Sequence, residues 1–124
     1  MRTLIRAALL ATLGALPMAA QAQLSACRVP DIAVEKVSRR VDGAVTHVTG
    51  QLVNKCPQAV GVHIKVSLND ATDSAIMVQD TWPANTKNIP AKGTFAFDSV
   101  FRNAPPGVAK VDVKVLEVKF WPVR

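Results

Sequence analysis

A chain of 124 residues, 49% hydrophobic and 19% charged, has room for one hydrophobic core and excludes a two-domain architecture. Its 15 basic residues outnumber 9 acidic ones for a formal net charge of +6, but they are scattered. No RNA- or DNA-binding motif accompanies them, so nucleic acid is not an expected partner.

The first segment carries an address. Arg2 and Arg6 form a positive n-region, and Ala7 to Ala20 is an apolar stretch rich in Ala and Leu, broken only by Thr12, Gly14 and Pro17. This is the pattern of a bacterial secretory signal peptide. The stretch is shorter than the ~20 apolar residues of a membrane span, so the protein is not expected to be transmembrane.

Two readings of the junction remain. Ala20-Gln21-Ala22 suits an ordinary signal peptidase, giving a signal peptide over residues 1–22 and a single domain over 23–124. Leu24-Ser25-Ala26-Cys27 also has the form of a lipobox, in which case Cys27 would be lipid-anchored in the envelope. The polar step Gln21-Ala22-Gln23 favours the first reading. So does the even cysteine count, since lipidation of Cys27 would leave Cys56 as an odd thiol in an oxidising compartment. A Cys27–Cys56 disulfide would close a loop of about 30 residues, contributing roughly 3–4 kcal/mol in the chain-entropy model. Loss of Arg2 and Arg6 would leave a mild net charge of about +4. The expected location is periplasmic or secreted.

Beyond the leader, strand patterns follow one another. Ile32 to Val41 reads as a strand, Val41-Asp42-Gly43-Ala44 as a tight hairpin turn, and Val45 to Val53 as the returning strand. After the breaker Asn54-Lys55-Cys56-Pro57, the run Val60 to Leu68 alternates without a fault and puts Val60, Val62, Ile64, Val66 and Leu68 on one face. Asn69 to Ser74 is a turn cluster, Ala75 to Trp82 a shorter strand, and Pro83 to Asn88 an irregular crossing. Pro90-Ala91-Lys92-Gly93 turns the chain into Thr94 to Phe101, with Phe95 and Phe97 on one face.

The last strand, Ala109 to Phe120, changes phase. Val111, Val113 and Val115 alternate with polar residues, and then Leu116, Val118 and Phe120 do so one step out of register, which predicts a bulge near Val115-Leu116. Six or seven short strands without helical periodicity predict an all-β, antiparallel, immunoglobulin-like β-sandwich.

Three segments carry a resemblance: Gly50-Gln51-Leu52-Val53-Asn54, then Val62 to Asp70, then Ile89 to Phe97. Together they resemble the FxLYD group of small bacterial extracytoplasmic domains, with Val66 where that group has Phe and Asn69 where it has Tyr. The resemblance implies a fold and a location outside the cytoplasm; it brings no catalytic residues. The residues themselves account for the motif. Gly50 marks a bulge or a close approach of another backbone, Asn54 ends a strand by bonding to its own turn, and Gly93 supplies the freedom of a tight turn.

Candidate chemistry is sparse. His47 and His63 are the only histidines; if their strands were neighbours they could share a face, with Met77 as a soft third ligand for copper. The plainer reading is that both are polar face residues, since no His-x-His or Cys-x-x-Cys spacing supports a metal site. Ser25, Ser38, Ser67, Ser74 and Ser99 lie in no Gly-x-Ser-x-Gly elbow. No catalytic residue, metal or cofactor is therefore predicted.

Trp82-Pro83 and Trp121-Pro122 end strands, each proline terminating a ladder in which it cannot donate. Trp82 is expected to cover the end of the core. If Phe120 points inward, Trp121 points outward, where its indole could meet a sugar or a partner's pocket. The expected function is a non-enzymatic exported domain acting through protein or cell-envelope contacts, with exposed strand edges as the recognition elements. The alternative is a small-ligand carrier, binding metal through His47 and His63 or a glycan through Trp121.

Overall fold

The computed structural model describes residues 27–122; the predicted signal peptide, with both readings of its junction before Cys27, lies outside them. Six strands follow a single 3-10 turn (Val29–Asp31): β1 (Ile32–Asp42), β2 (Val45–Asn54), β3 (Gly61–Asn69), β4 (Ala75–Thr81), β5 (Thr94–Arg102) and β6 (Lys110–Lys119). All pairings are antiparallel and form two three-stranded sheets, β1-β2-β5 and β4-β3-β6. Placing β2 beside β5 and β3 beside β6 reproduces the B–E and C–F adjacency of immunoglobulin-like sandwiches. Among the described residues the strands number six, within the six or seven expected. The crossing between β4 and β5 adds only an isolated bridge, Val60 with Ile89.

Period-two burial explains the layers. Along β2 every second residue from Thr46 to Asn54 is buried, and on β3 Val62, Ile64, Val66 and Leu68 are at most 2% exposed. These residues meet Phe97 and Phe101 of β5 in one core. Burying each such aliphatic side chain contributes roughly 1.5–3 kcal/mol, so the alternation of β3 is itself a large part of what fixes the sheet's register.

The hairpin forms between Asp42 and Val45. Its two loop residues are Gly43 and Ala44, and Gly43 alone takes a left-handed φ of 62°. That is the type II′ requirement for glycine at the first central position, a residue later than an Asp-Gly turn would place it. The predicted bulge in the last strand is present: His63 pairs with Glu117 but Ile64 with Val115, leaving Leu116 as the extra residue. The bulge returns Val118 to the inner face, where it packs on the core.

Gly50 meets the bulge foreseen for it, but the group that crowds it most closely is a side chain and not another backbone. It stands opposite the break in β1 between Glu35 and Ser38, and a Cβ there would come within 2.7 Å of the Phe97 ring. Gly93 is a correction. The left-handed residue of its turn is Lys92, at φ 62°; Gly93 is small because a Cβ would lie 3.0 Å from the Pro90 carbonyl oxygen.

Cys27 and Cys56 form a disulfide, with Cα atoms 5.7 Å apart. The bridge ties the lead-in to β1 onto the loop after β2, beside a backbone bond from Lys55 N–H to the Asp31 carbonyl. A bridged Cys27 has no sulfur left for a lipid thioether, so the two readings of Cys27 exclude each other.

In the turn between β3 and β4, where Asp73 also accepts from Asn69 Nδ2, Asp70 gathers the most side-chain bonds. Asp70 Oδ1 accepts from the Thr72 hydroxyl at 2.7 Å and from the Thr72 and Ser74 amides at 2.9 and 3.0 Å. The Thr72 hydroxyl, then the Ser74 amide, hold the Asp70 pKa below its usual 3.8. Its unfolded-state pKa is therefore the higher one, so the stabilisation is present above that value and is lost as pH falls through the folded-state value. An Asp70→Ala variant is expected to melt below the wild type at neutral pH. The gap should close as the pH is taken below 3.8, as thermal melts across an acid series would show; a gap that stays constant refutes the assignment.

Candidate functional site

The outer face of the second sheet ends in a cluster of rings that register explains. Ile64 of β3 pairs with Thr81 of β4, and one step further along the same ladder His63 faces Trp82. Their rings stack with centroids 4.9 Å apart and planes 11° from parallel. On its other side His63 pairs with Glu117 of β6, with Nδ1 3.6 Å from Oε1.

Trp121 completes the cluster. Its indole meets that of Trp82 edge-on, at 5.3 Å between centroids and 75° between planes. It lies over Gly61, where any Cβ would overlap the ring, so only glycine admits it. Lys119 places Nζ 4.2 Å from the ring centroid, a cation–π contact of about 0.5–1 kcal/mol at a surface.

Beyond β6 the chain is held by a side chain instead of a strand. Asn88 Oδ1 accepts from the Trp121 amide at 2.8 Å, and its Nδ2 donates to the Trp121 carbonyl at 2.7 Å. Both backbone groups of Trp121 are thereby satisfied, while its indole Nε1–H is buried without a partner among the described residues.

Two concavities flank Trp121. The larger, about 900 Å³, lies among Ala59, Thr86, Asn88, Pro90, Phe120 and Pro122. The smaller, about 390 Å³, occupies the corner between the two indoles and adds Asp80, Thr81 and Asn85. They share Thr86 and Trp121. Phe120 stays 49% exposed at the rim of the larger one.

The tryptophans depart from expectation in part. Trp82 does not cap the core but lies outside it, on His63, because the β3–β4 register puts it on the outer face. Trp121 is on the outer face as foreseen, though half-buried. Phe120 does not point inward: it lies past the last ladder pair, Gly61 with Lys119, where the buried Val60 is bridged to Ile89 instead, and it stays exposed.

His47 and His63 do not meet. His47 belongs to β2 and His63 to β3, strands of different sheets, and the alternation of each strand points the two outward on opposite sides of the sandwich. His47 instead bonds Asp98, at 2.9 and 3.0 Å from Nδ1 to the two carboxylate oxygens. Met77 pairs with Leu68 and packs on the core. The copper site built from these three does not form, and among the described residues no group of three or more His, Cys, Asp or Glu is placed to hold a metal ion. Ser67 and Ser99 are buried. No described serine hydroxyl hydrogen-bonds a histidine.

Sequence reasoning missed Gly61, Thr86, Asn88 and the exposure of Phe120. The one available signal was the second Trp-Pro pair, since a loop asparagine and a strand glycine gain meaning only once register brings Trp121 to them.

No protein-family model matches the chain, and no curated protein matches it. Among solved structures, the crystal structure of a DUF1425 family member from Shewanella sp. pv-4 is similar, with a TM-score of 0.52, 13% sequence identity, and coverage of 69% of this chain and 77% of that one. At that identity the likeness establishes the β-sandwich fold. Among the described residues no helix is long and apolar enough to cross a membrane.

Proposed function

We propose that the protein is an exported, periplasmic binding domain, without catalytic activity or cofactor, that recognises a protein or envelope component through the Trp121 end of its second sheet. The leader over residues 1–22 and the domain over 23–124 support export, and a disulfide fits an oxidising compartment. The resemblance to FxLYD domains agrees with that location.

One observation carries the reading. An exposed Phe120 and a clamped Trp121 line a groove of about 900 Å³, within the ~300–1,000 Å³ typical of ligand pockets. Tryptophan is prominent among the few residues that carry most of the energy of an interface. The strand edges are poorer candidates. β1 is broken by its irregularity at Lys36-Val37 and carries Arg39 and Arg40, β6 is bulged at Leu116, and Gln79 Nε2 ties β4 to the Val100 carbonyl of β5. Such bulges and charges are how edges are kept from pairing.

Site-specific photo-crosslinking in intact cells tests this. A Phe120→p-benzoylphenylalanine chain should yield a discrete adduct that is absent when the same group replaces Val41, which is 64% exposed beside the β1–β2 hairpin. No adduct from position 120, or identical adducts from both positions, would sink a protein partner at this end of the sheet.

A further inference from the structure

We infer that the corner between Trp82 and Trp121, with the groove it opens into, binds a neutral oligosaccharide. This rests on the binding-domain reading and names its ligand class. The two indoles stand 75° apart and form two walls of one recess, whose other sides are Asp80, Thr81, Asn85 and Thr86. Aromatic faces are electron-rich and apolar, which suits the C–H face of a pyranose ring, while its hydroxyls require partners around the edge.

Those partners are free. Neither Asp80, Asn85 nor Thr86 makes a side-chain hydrogen bond within the described residues, and together they offer an acceptor-only carboxylate, an amide and a hydroxyl. Hydroxyls that both donate and accept satisfy that mixture; an apolar ligand would strand all three. Charge points the same way. Among the described residues the charges are few and mixed, with Asp80 in the corner, Lys87 in the groove and Lys119 over the Trp121 ring, so the track offers no concentrated field for a strongly charged ligand.

An extended peptide fits less well. Peptides that add to a sheet use unpaired backbone groups, and the N–H and C=O of Trp121 are both taken by Asn88. The same clamp, together with the His63 stack beneath Trp82, holds both rings before any ligand arrives, which lowers the ordering cost of binding. Because Thr86 and Trp121 belong to both recesses, a chain of several sugar units can run from the corner past Phe120.

Trp82 and Trp121 are the only tryptophans in the sequence, so intrinsic fluorescence reports the corner directly. The mature chain would be titrated separately with cellotetraose, chitotetraose and maltotetraose. A saturable change with at least one is expected, with a Kd of about 10 μM to 1 mM. Asn85→Gly, which keeps the left-handed φ of 57° at that position, and Thr86→Ala should each weaken it about fivefold or more without moving the thermal midpoint. No saturable change with any of the three up to about 10 mM, or binding indifferent to both substitutions, overturns the inference. A protein adduct at position 120 with no saccharide binding would overturn the ligand class alone and make the partner a protein. Absence of both would overturn the binding-domain reading as well.

Discussion

Replacing Asn54 by aspartate is expected to cost the fold about 3–5 kcal/mol, a large share of the ~5–15 kcal/mol that holds a small domain together. Asn54 is 0% exposed. Its Nδ2 is directed at the carbonyls of Gln58, Ile89 and Pro90 at 2.9, 3.0 and 3.2 Å, and its Oδ1 accepts from the Cys56 amide at 2.9 Å. One side chain thus joins the loop after β2 to the turn before β5.

Aspartate keeps the shape and the acceptor but turns a donor into a second oxygen facing three carbonyls, in a place where no water replaces what is lost. Alanine should cost nearly as much, by leaving the same groups unpaired. Urea unfolding followed by tryptophan fluorescence checks this: the midpoint should fall sharply with the m-value unchanged. A midpoint shift under about 1 kcal/mol equivalent would mean that the loops hold each other without Asn54.

Reduction of the Cys27–Cys56 bridge is the second large effect. The half-cystines are 29 positions apart, and opening a loop of that length releases unfolded-state entropy worth about 3–4 kcal/mol. For a domain of this size the thermal midpoint should drop by about 15 °C or more. Melts with and without a phosphine reductant, and of a Cys27→Ala/Cys56→Ala double variant, measure it. Equal midpoints in all three would show that the lead-in and the loop are held by other contacts, such as the Lys55 to Asp31 bond.

Both effects concern places where local sequence and tertiary structure meet, and they mark how far the sequence could be read. The strands, the hairpin at Gly43 and the bulge at Leu116 were legible because a buried face forces strict alternation, and a broken alternation has few geometric remedies. Asn54 was legible only as a strand terminator. Its bonds to Ile89 and Pro90 depend on a turn far along the chain.

The site was less legible for the same reason. Trp82 and Trp121 stood out as residues, but their meeting depends on two registers, Ile64 with Thr81 and Gly61 with Lys119. Neither periodicity nor composition specifies a register between strands that are distant in sequence. The histidines show the converse: adjacent strand patterns invited a shared face, and the crossover from β2 to β3 moved them to opposite sides of the molecule.

That crossover also shapes how the molecule must assemble. β2 and β3 are the central strands, and each has one partner next to it in sequence, β1 or β4, and one that comes much later, β5 or β6. A chain emerging from its N-terminus can form two hairpins early, yet each keeps a bare edge and an uncovered apolar face until the remaining strands arrive. Pairings of this range must first meet the entropy of closing long loops, which makes such topologies slow to fold and leaves sticky intermediates while they wait. Escort by a holding chaperone, or early oxidation of Cys27 with Cys56, would shorten that vulnerable interval.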